Sequence, residues 1–353
     1  MNKKRILVYG LVFVVLAVLV YFQFRTWKNF DWQTFWADWK LLRPRNILAC
    51  IGLIYGSYGL RALRWKIFLR PVRKDASWTG IIPATIIGFT GLALLGRPGE
   101  LIRPYLIARR ESLSFSSQMA VWTVERIFDI GAFTVLLVLA VFLPGTAVHA
   151  VPDYPAVRIF GLFFLALVAG MTLAAIIVAK RGEAVSRWVE RRFAHLAANL
   201  GHRIAQRLRE FHGGLDTIHN PVAFLQICAV SLGMWFCIGL GYLQVVHAYG
   251  SLLSTITLSK IFPLMGSSMV GSLIQLPGVG GGSQLATISA LQRIFNVPHE
   301  LAASCGIVLW LSTFVCVLPV GLVLAQFERV SLRKLSEESE REEEASAIVP
   351  PLS

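Results

Sequence analysis

Five stretches of this chain, Ile6 to Phe24, Ile130 to Pro152, Phe160 to Ala179, Thr217 to Ser259 and Leu301 to Phe327, each run for nineteen residues or more without an Asp, Glu, Lys or Arg. A helix of about 20 such residues crosses the ~30 Å hydrocarbon layer of a bilayer. In that layer every backbone N–H and C=O must find its partner within the protein, which leaves helices and closed barrels. Runs of this length and continuity fit helices, so the chain reads as an all-α polytopic membrane protein. Only 15% of its residues are charged, against about 25% in soluble domains. The N-terminal Lys3-Lys4-Arg5 followed by nineteen uncharged residues exceeds the roughly 7 to 15 of a signal core, and no small-residue cleavage site follows, so a retained first span is expected.

The formal charge of +14 sits beside hydrophobic ends. That placement points to topology control and to anionic lipid headgroups, and away from nucleic acid. All five cysteines lie in apolar stretches, which indicates packing and gives no disulfide or zinc framework. The seven histidines are scattered over loops and ends, so neither a metal site, a catalytic triad nor a cofactor is expected.

Orientation follows from the cations. With the N-terminus cytoplasmic, the first span leads out to a loop at 25–45 and a second, near Asn46 to Trp65, returns. Its last turn would carry Arg61, Arg64 and Lys66 to the cytoplasmic interface on snorkelling stems. The next segment stops at Gly96-Arg97-Pro98-Gly99-Glu100 and resumes toward Arg109-Arg110; charge placement favours a re-entrant hairpin over 78–110. A span at 118–143 leads out and one beginning near Arg158 leads in. A basic amphipathic helix at 185–211 lies on the inner leaflet. After a span from Pro221 to Ala248, a second break at Pro277-Gly278-Val279-Gly280-Gly281-Gly282 falls within a hairpin at 252–295. A span at 300–327 ends in a charged tail, 328–353, expected to be disordered.

The halves, 1–158 and 159–327, thus read as inverted repeats: about six full spans plus two re-entrant hairpins, with the breaks meeting near the midplane. Interrupted helices at corresponding positions point to a transporter, and chance placement of Gly and Pro is the bland alternative.

Charges inside apolar segments are costly and mark function by default. Arg97, Glu100 and Arg103 recur every three residues, on one face of a half-helix opened by Pro98, with Gly99 permitting the reversal. Glu125 and Asp129 are four apart, with Arg126 three before Asp129. The guanidiniums of Arg97, Arg103 and Arg126 suit a phosphate, with Glu100, Glu125 and Asp129 as exchangeable counter-ions. The alternative is a set of structural salt bridges. Arg61, Arg64, Lys260, Gln275 and Gln284 are secondary candidates, for substrate or for structure.

The string Gly96-Arg97-Pro98-Gly99-Glu100-x-x-Arg103, then Val124-Glu125-Arg126-x-x-Asp129, preceded by Arg61-x-x-Arg64-Trp65, resembles the lysylphosphatidylglycerol synthase/flippase transmembrane family. Pro277-Gly278-Val279-Gly280-Gly281 resembles that family's second break. The resemblance covers most of residues 6 to 327 and implies a polytopic bundle that translocates lipids or handles lipid-linked sugars. Two departures stand out. Gly278-Val279 and Gln284 replace the usual Gly-Gly and a following Glu, which removes a carboxylate, and only a short tail follows the last span where full-length synthases carry a soluble aminoacyl-transferase domain. Aminoacylation is therefore not expected.

The function these features support is a transporter rather than an enzyme: it flips a phospholipid or lipid-linked headgroup, anionic or phosphate-bearing, through a midplane charged cavity. The expected location is a bacterial or archaeal cytoplasmic membrane, with both termini inside. A membrane-embedded transferase using Glu125 or Asp129 as base on a lipid carrier and a non-catalytic assembly partner are the competing readings.

Overall fold

A computed structural model describes residues 31–143, 154–170, 220–250, 253–273, 275–276 and 280–328. The expected first span, the amphipathic helix at 185–211, the tail beyond residue 328 and the breaks Pro277 and Gly278 lie outside the described residues. Within them the protein is helical apart from one two-rung antiparallel ladder pairing β1 (Gln275–Leu276) with β2 (Gly280–Gly281).

The helices are α1 (Trp32–Lys40), α2 (Pro44–Leu69), α3 (Trp78–Leu95), α4 (Ile102–Glu111), α5 (Phe115–Phe142), α6 (Tyr154–Gly170), α7 (Pro221–Ala248), α8 (Leu258–Gly271), α9 (Gly282–Arg293) and α10 (His299–Phe327). Their starts follow local chemistry. Ser77, Ser114 and Asn220 cap α3, α5 and α7 by accepting from first-turn backbone N–H groups, and Pro44 and Pro221 supply a preset φ in the first turn. Four helices, α2, α3, α7 and α10, are long and apolar enough to cross a membrane. Helix α5 is long enough at 28 residues but carries Glu125, Arg126 and Asp129 in its middle.

Two long helices form the spine. Arg43 N donates to Ala248 O at 3.0 Å, Asn46 Nδ2 to Gln244 Oε1 at 3.0 Å, Arg64 Nη1 to Ser231 Oγ at 2.8 Å and Arg70 Nη1 to Gln226 Oε1 at 2.6 Å. The partner number falls as the α2 number rises, so α2 and α7 run antiparallel along their whole length.

Each half adds a helical hairpin to this spine. In the first, α3 ends at Gly96, whose φ of 71° is open to glycine and strained for other residues. A 3-10 turn over Arg97–Leu101 then feeds α4 back along α3. The return is close: a Cβ on Gly99 would overlap the Gly91 carbonyl, and one on Gly88 would overlap Arg103. The second hairpin repeats the device. Helix α9 begins behind Gly281, with φ 79°, and a Cβ on Gly271 would overlap the Gly282 carbonyl and the Ala286 methyl.

The two hairpins open at opposite ends of the molecule. Arg110, at the mouth of the first, lies against Gly80 and pairs with Glu328 at the end of α10. The mouth of the second lies with the other end of the spine, where His247 bonds Ile256 O at 2.9 Å and Tyr249 bonds Ser304 Oγ at 2.8 Å. Their tips meet: Arg97 Nη2 donates to Ser272 O at 3.0 Å. Helix α5 packs on α8 and α10 packs on α3, so each half's last long helix rests on the other half's hairpin. One buried cluster, including Ile54, Phe133, Leu137, Met234, Ile261, Leu264, Leu291 and Cys305, runs through both halves.

Two features differ from the sequence reading. The loop expected at 25–45 contains α1, capped by Asp31, whose Phe35 is buried against Ala303 while Trp32 and Trp36 stay exposed. Helix α10 widens into a π turn over Leu311–Val315, inside what reads as an unbroken span.

Candidate functional site

Helices α2, α4 and α5 bring six ionisable side chains together beside α7. Two from α5 are carboxylates: Glu125, fully buried, and Asp129, 4% exposed. Four are guanidiniums. Arg64 reaches both acids, at 2.6 Å to Glu125 Oε1 and 2.8 Å to Asp129 Oδ1. Arg103 grips Glu125 with both terminal nitrogens, Nη1 at 3.1 Å from Oε1 and Nη2 on Oε2. Arg61 Nη1 lies 3.5 Å from Asp129 Oδ2. Arg126 Nη2 stands 3.4 Å from Glu125 and 3.2 Å from Asp129.

Aromatic rings lie over three of these guanidiniums. Arg103 lies over Trp65 at 4.5 Å and Arg61 over Phe89 at 4.9 Å; Arg126 lies over Trp122 at 5.7 Å and Arg61 also faces Trp235 at 6.0 Å. A weakly hydrated, planar cation tolerates such walls where an ammonium would not. Trp65 is itself fixed, donating Nε1–H to Gln118 Oε1 at 2.9 Å. The cluster opens toward a small crevice of about 20 Å³ lined by Gly88, Phe89, Leu92, Glu100, Arg103, Trp122 and Arg126. There Arg126 is the exposed member, its side chain 35% accessible.

The sequence candidates divide among three places. Arg103, Glu125, Arg126 and Asp129 come together. Glu100 lines the crevice but pairs with Arg97 at 3.1 Å, and Arg97 turns outward to the second hairpin's tip, so the three-residue spacing does not hold Arg97 on the face of Arg103. Arg97 and Glu100 stack within the 3-10 turn, where residues three apart share a face, and Arg103 lies beyond it in α4. Arg61 and Arg64 require the plainest correction. Helix α2 continues to Leu69, so they fall inside it and are buried against the acids instead of snorkelling from a last turn. Buried carboxylates require cations, and Arg61 and Arg64 join Arg103 and Arg126 in supplying them. Lys260 donates to Thr255 O at the second hairpin's mouth, well away from the tip. Gln284 lies in the first turn of α9 and Gln275 in β1, both near the second tip and apart from the charged cluster. Among the described residues no group of His, Cys, Asp and Glu is placed to hold a metal.

A sequence profile described as the lysylphosphatidylglycerol synthase TM region matches residues 7–321, and this span includes every member of the charged cluster. The chain belongs to that family. It is also similar to two proteins named UPF0104 membrane protein from Methanothermobacter thermautotrophicus (strain Delta H). One is 26% identical over 301 residues, 82% of this chain and 84% of the relative; the other is 23% identical over 293 residues, 79% and 84% respectively. No solved structure matches. Membership in the lysylphosphatidylglycerol synthase TM region family fits an integral membrane protein with several apolar helices.

The sequence reading gave Arg61 and Arg64 as secondary candidates, for substrate or for structure, and the structure buries both against the acids; the aromatic walls were missed. A signal was present: Arg61 and Arg64 are three apart, as are Arg126 and Asp129, and Trp65 follows directly.

Proposed function

We propose that this protein carries the phosphate-bearing headgroup of a lipid across the membrane between its two hairpins, while the acyl chains remain in the bilayer. In this reading the halves are inverted copies and each hairpin enters the membrane from one side and returns to it. The opposite mouths and the touching tips support that view. The observation that carries the function is the buried cluster itself: guanidinium edges held in an apolar, aromatic-walled site beside a crevice, where an anion gains far more than in water. Arg126 and Arg103 would take the phosphate, Glu100 would exchange with it for a cation, and Arg61 and Arg64 would hold the acids of α5 in place.

The test is transfer of a headgroup-labelled phospholipid in vesicles containing the purified protein. Arg126→Ala and Glu100→Gln are each expected to lower the rate at least about tenfold, since each removes a charge-assisted contact. Unchanged transfer by both folded variants removes the proposed site, and a chemically altered lipid product in place of an intact one turns the reading toward a transferase. Orientation has its own check. In a cysteine-free background, Arg73→Cys should react with an impermeant maleimide only from the cytoplasmic face and Trp36→Cys only from the opposite one; reaction of both from one face overturns the arrangement.

A further inference from the structure

We infer that the headgroup taken by this site carries two negative charges, as a phosphate monoester or a diphosphate does, rather than the single charge of a phosphodiester; this rests on the lipid-carrying function proposed above. Four guanidiniums, from Arg61, Arg64, Arg103 and Arg126, face two carboxylates, Glu125 and Asp129. Arg97 and Glu100 form a pair of their own and leave the balance untouched. The described residues therefore hold an excess of two positive charges, with Arg61, Arg64 and Arg103 buried and Arg126 at the crevice, and uncompensated charge in such a site is expensive. A dianion removes the excess. A phosphodiester leaves one charge standing, and a zwitterionic headgroup adds an ammonium beside four cations.

Hydrogen bonding points the same way. Arg61 Nε, Arg64 Nε and Arg126 Nε are buried without a hydrogen-bond partner among the described residues, whereas Arg61 Nη1 and the two Asp129 oxygens, which also lack one, are held in ion pairs. With rings over Arg61, Arg103 and Arg126, these guanidiniums bind further through their in-plane edges, the geometry in which a terminal phosphate offers three equivalent oxygens. A diester, with two of its four oxygens esterified, offers two. The same anion could arrive as a soluble phosphate. Leu94, Leu95 and Leu101, each more than 40% exposed, flank the hairpin tip beside the crevice, and such an apolar margin suits a headgroup that brings chains with it.

The experiment titrates the purified full-length protein in zwitterionic detergent with dioctanoyl phosphatidic acid, dioctanoyl phosphatidylglycerol and glycerol 3-phosphate, read by tryptophan fluorescence and native mass spectrometry. Near pH 8 the phosphatidic acid should bind about tenfold or more tightly than either other probe. Near pH 5.5 its advantage over phosphatidylglycerol should vanish, because a phosphate monoester takes up its second proton at about pH 6. Arg126→Gln, checked for an unaltered melting curve, should weaken phosphatidic acid most. Equal affinity for the two lipids near pH 8 overturns the two-charge inference and leaves anionic lipid carriage standing. Glycerol 3-phosphate binding as tightly as phosphatidic acid overturns the lipid source. Absence of binding by all three sinks both this inference and the function on which it rests.

Discussion

Arg64 shows how much one side chain can carry. It is fully buried, bonded to Ser231 on α7 and to both acids of α5, so it ties together three helices from both halves. Its removal would take one contact from each of Glu125 and Asp129 and leave the Ser231 hydroxyl without its donor in an apolar interior. Breaking a buried pair from one side costs about 3–5 kcal/mol, and Arg64→Ala is expected to lower thermal stability in detergent by an amount of that order. Arg64→Lys should recover only part of it, because an ammonium cannot span two carboxylates and a hydroxyl in one plane. A melting temperature within a degree of the parent would mean the pairs contribute nothing to folding. At this scale the sequence showed that Glu125, Arg126 and Asp129 needed partners, since charges in hydrocarbon always do. It could not say which. Partner choice depended on α2 running four residues past its expected end at Trp65 and on a 3-10 turn at Arg97, and neither leaves a mark in hydrophobic periodicity.

The hairpins were legible as elements because their breaks are chemical: Gly96, Pro98 and Gly99 in one, Gly280 to Gly282 in the other. Less obvious is a local likeness between them. Ser77 and Pro83 in the first arm stand at the same spacing as Thr257 and Pro263 in the second, and Pro98-Gly99 is matched by Pro277-Gly278 one residue short of the same offset. Apolar residues between these positions are interchangeable in a membrane, so the likeness is confined to helix starts, prolines and glycines. The glycines have distinct duties: Gly96 makes the turn through its φ of 71°, whereas Gly99 lets α3 and α4 touch. Gly99→Val forces backbone against side chain, and overpacking of this kind costs about 1–3 kcal/mol. Reduced yield of monodisperse protein and a lower melting temperature should follow, with Gly52→Ala, where nothing lies within 4 Å, as the tolerant control. Equal behaviour of the two variants would mean the hairpin is not this close. Helix α1 was missed although Trp32, Phe35, Trp36 and Trp39 recur at helical spacing behind Asp31; at nine residues it is too short to stand out against spans of more than twenty.

Over the whole molecule, α2 and α7 form one antiparallel pair to which each half contributes a helix, and each hairpin is clasped by the other half's last long helix. Neither half is complete alone. Amphipathic and apolar patterning identified which segments are helices, while the pairing between halves came from contacts more than 150 residues apart in sequence, such as Arg64 with Ser231 and Arg70 with Gln226. The placement of Arg61 and Arg64 also bears on how the protein is made. An arginine in a spanning helix adds up to about 2.5–3.5 kcal/mol to the cost of leaving the translocon, the most at the centre; Arg61 and Arg64 lie in the C-terminal third of α2 and on the ribosome emerge some sixty residues before the acids of α5 that neutralise them. Helix α2 should therefore linger at the channel until α5 arrives, and the two should pass into lipid together. With Cys50 in α2 kept as the sole cysteine, a chain shortened at residue 113 is expected to react with an impermeant maleimide, whereas one shortened at residue 143 should be shielded; equal shielding of both would show that α2 enters unaided.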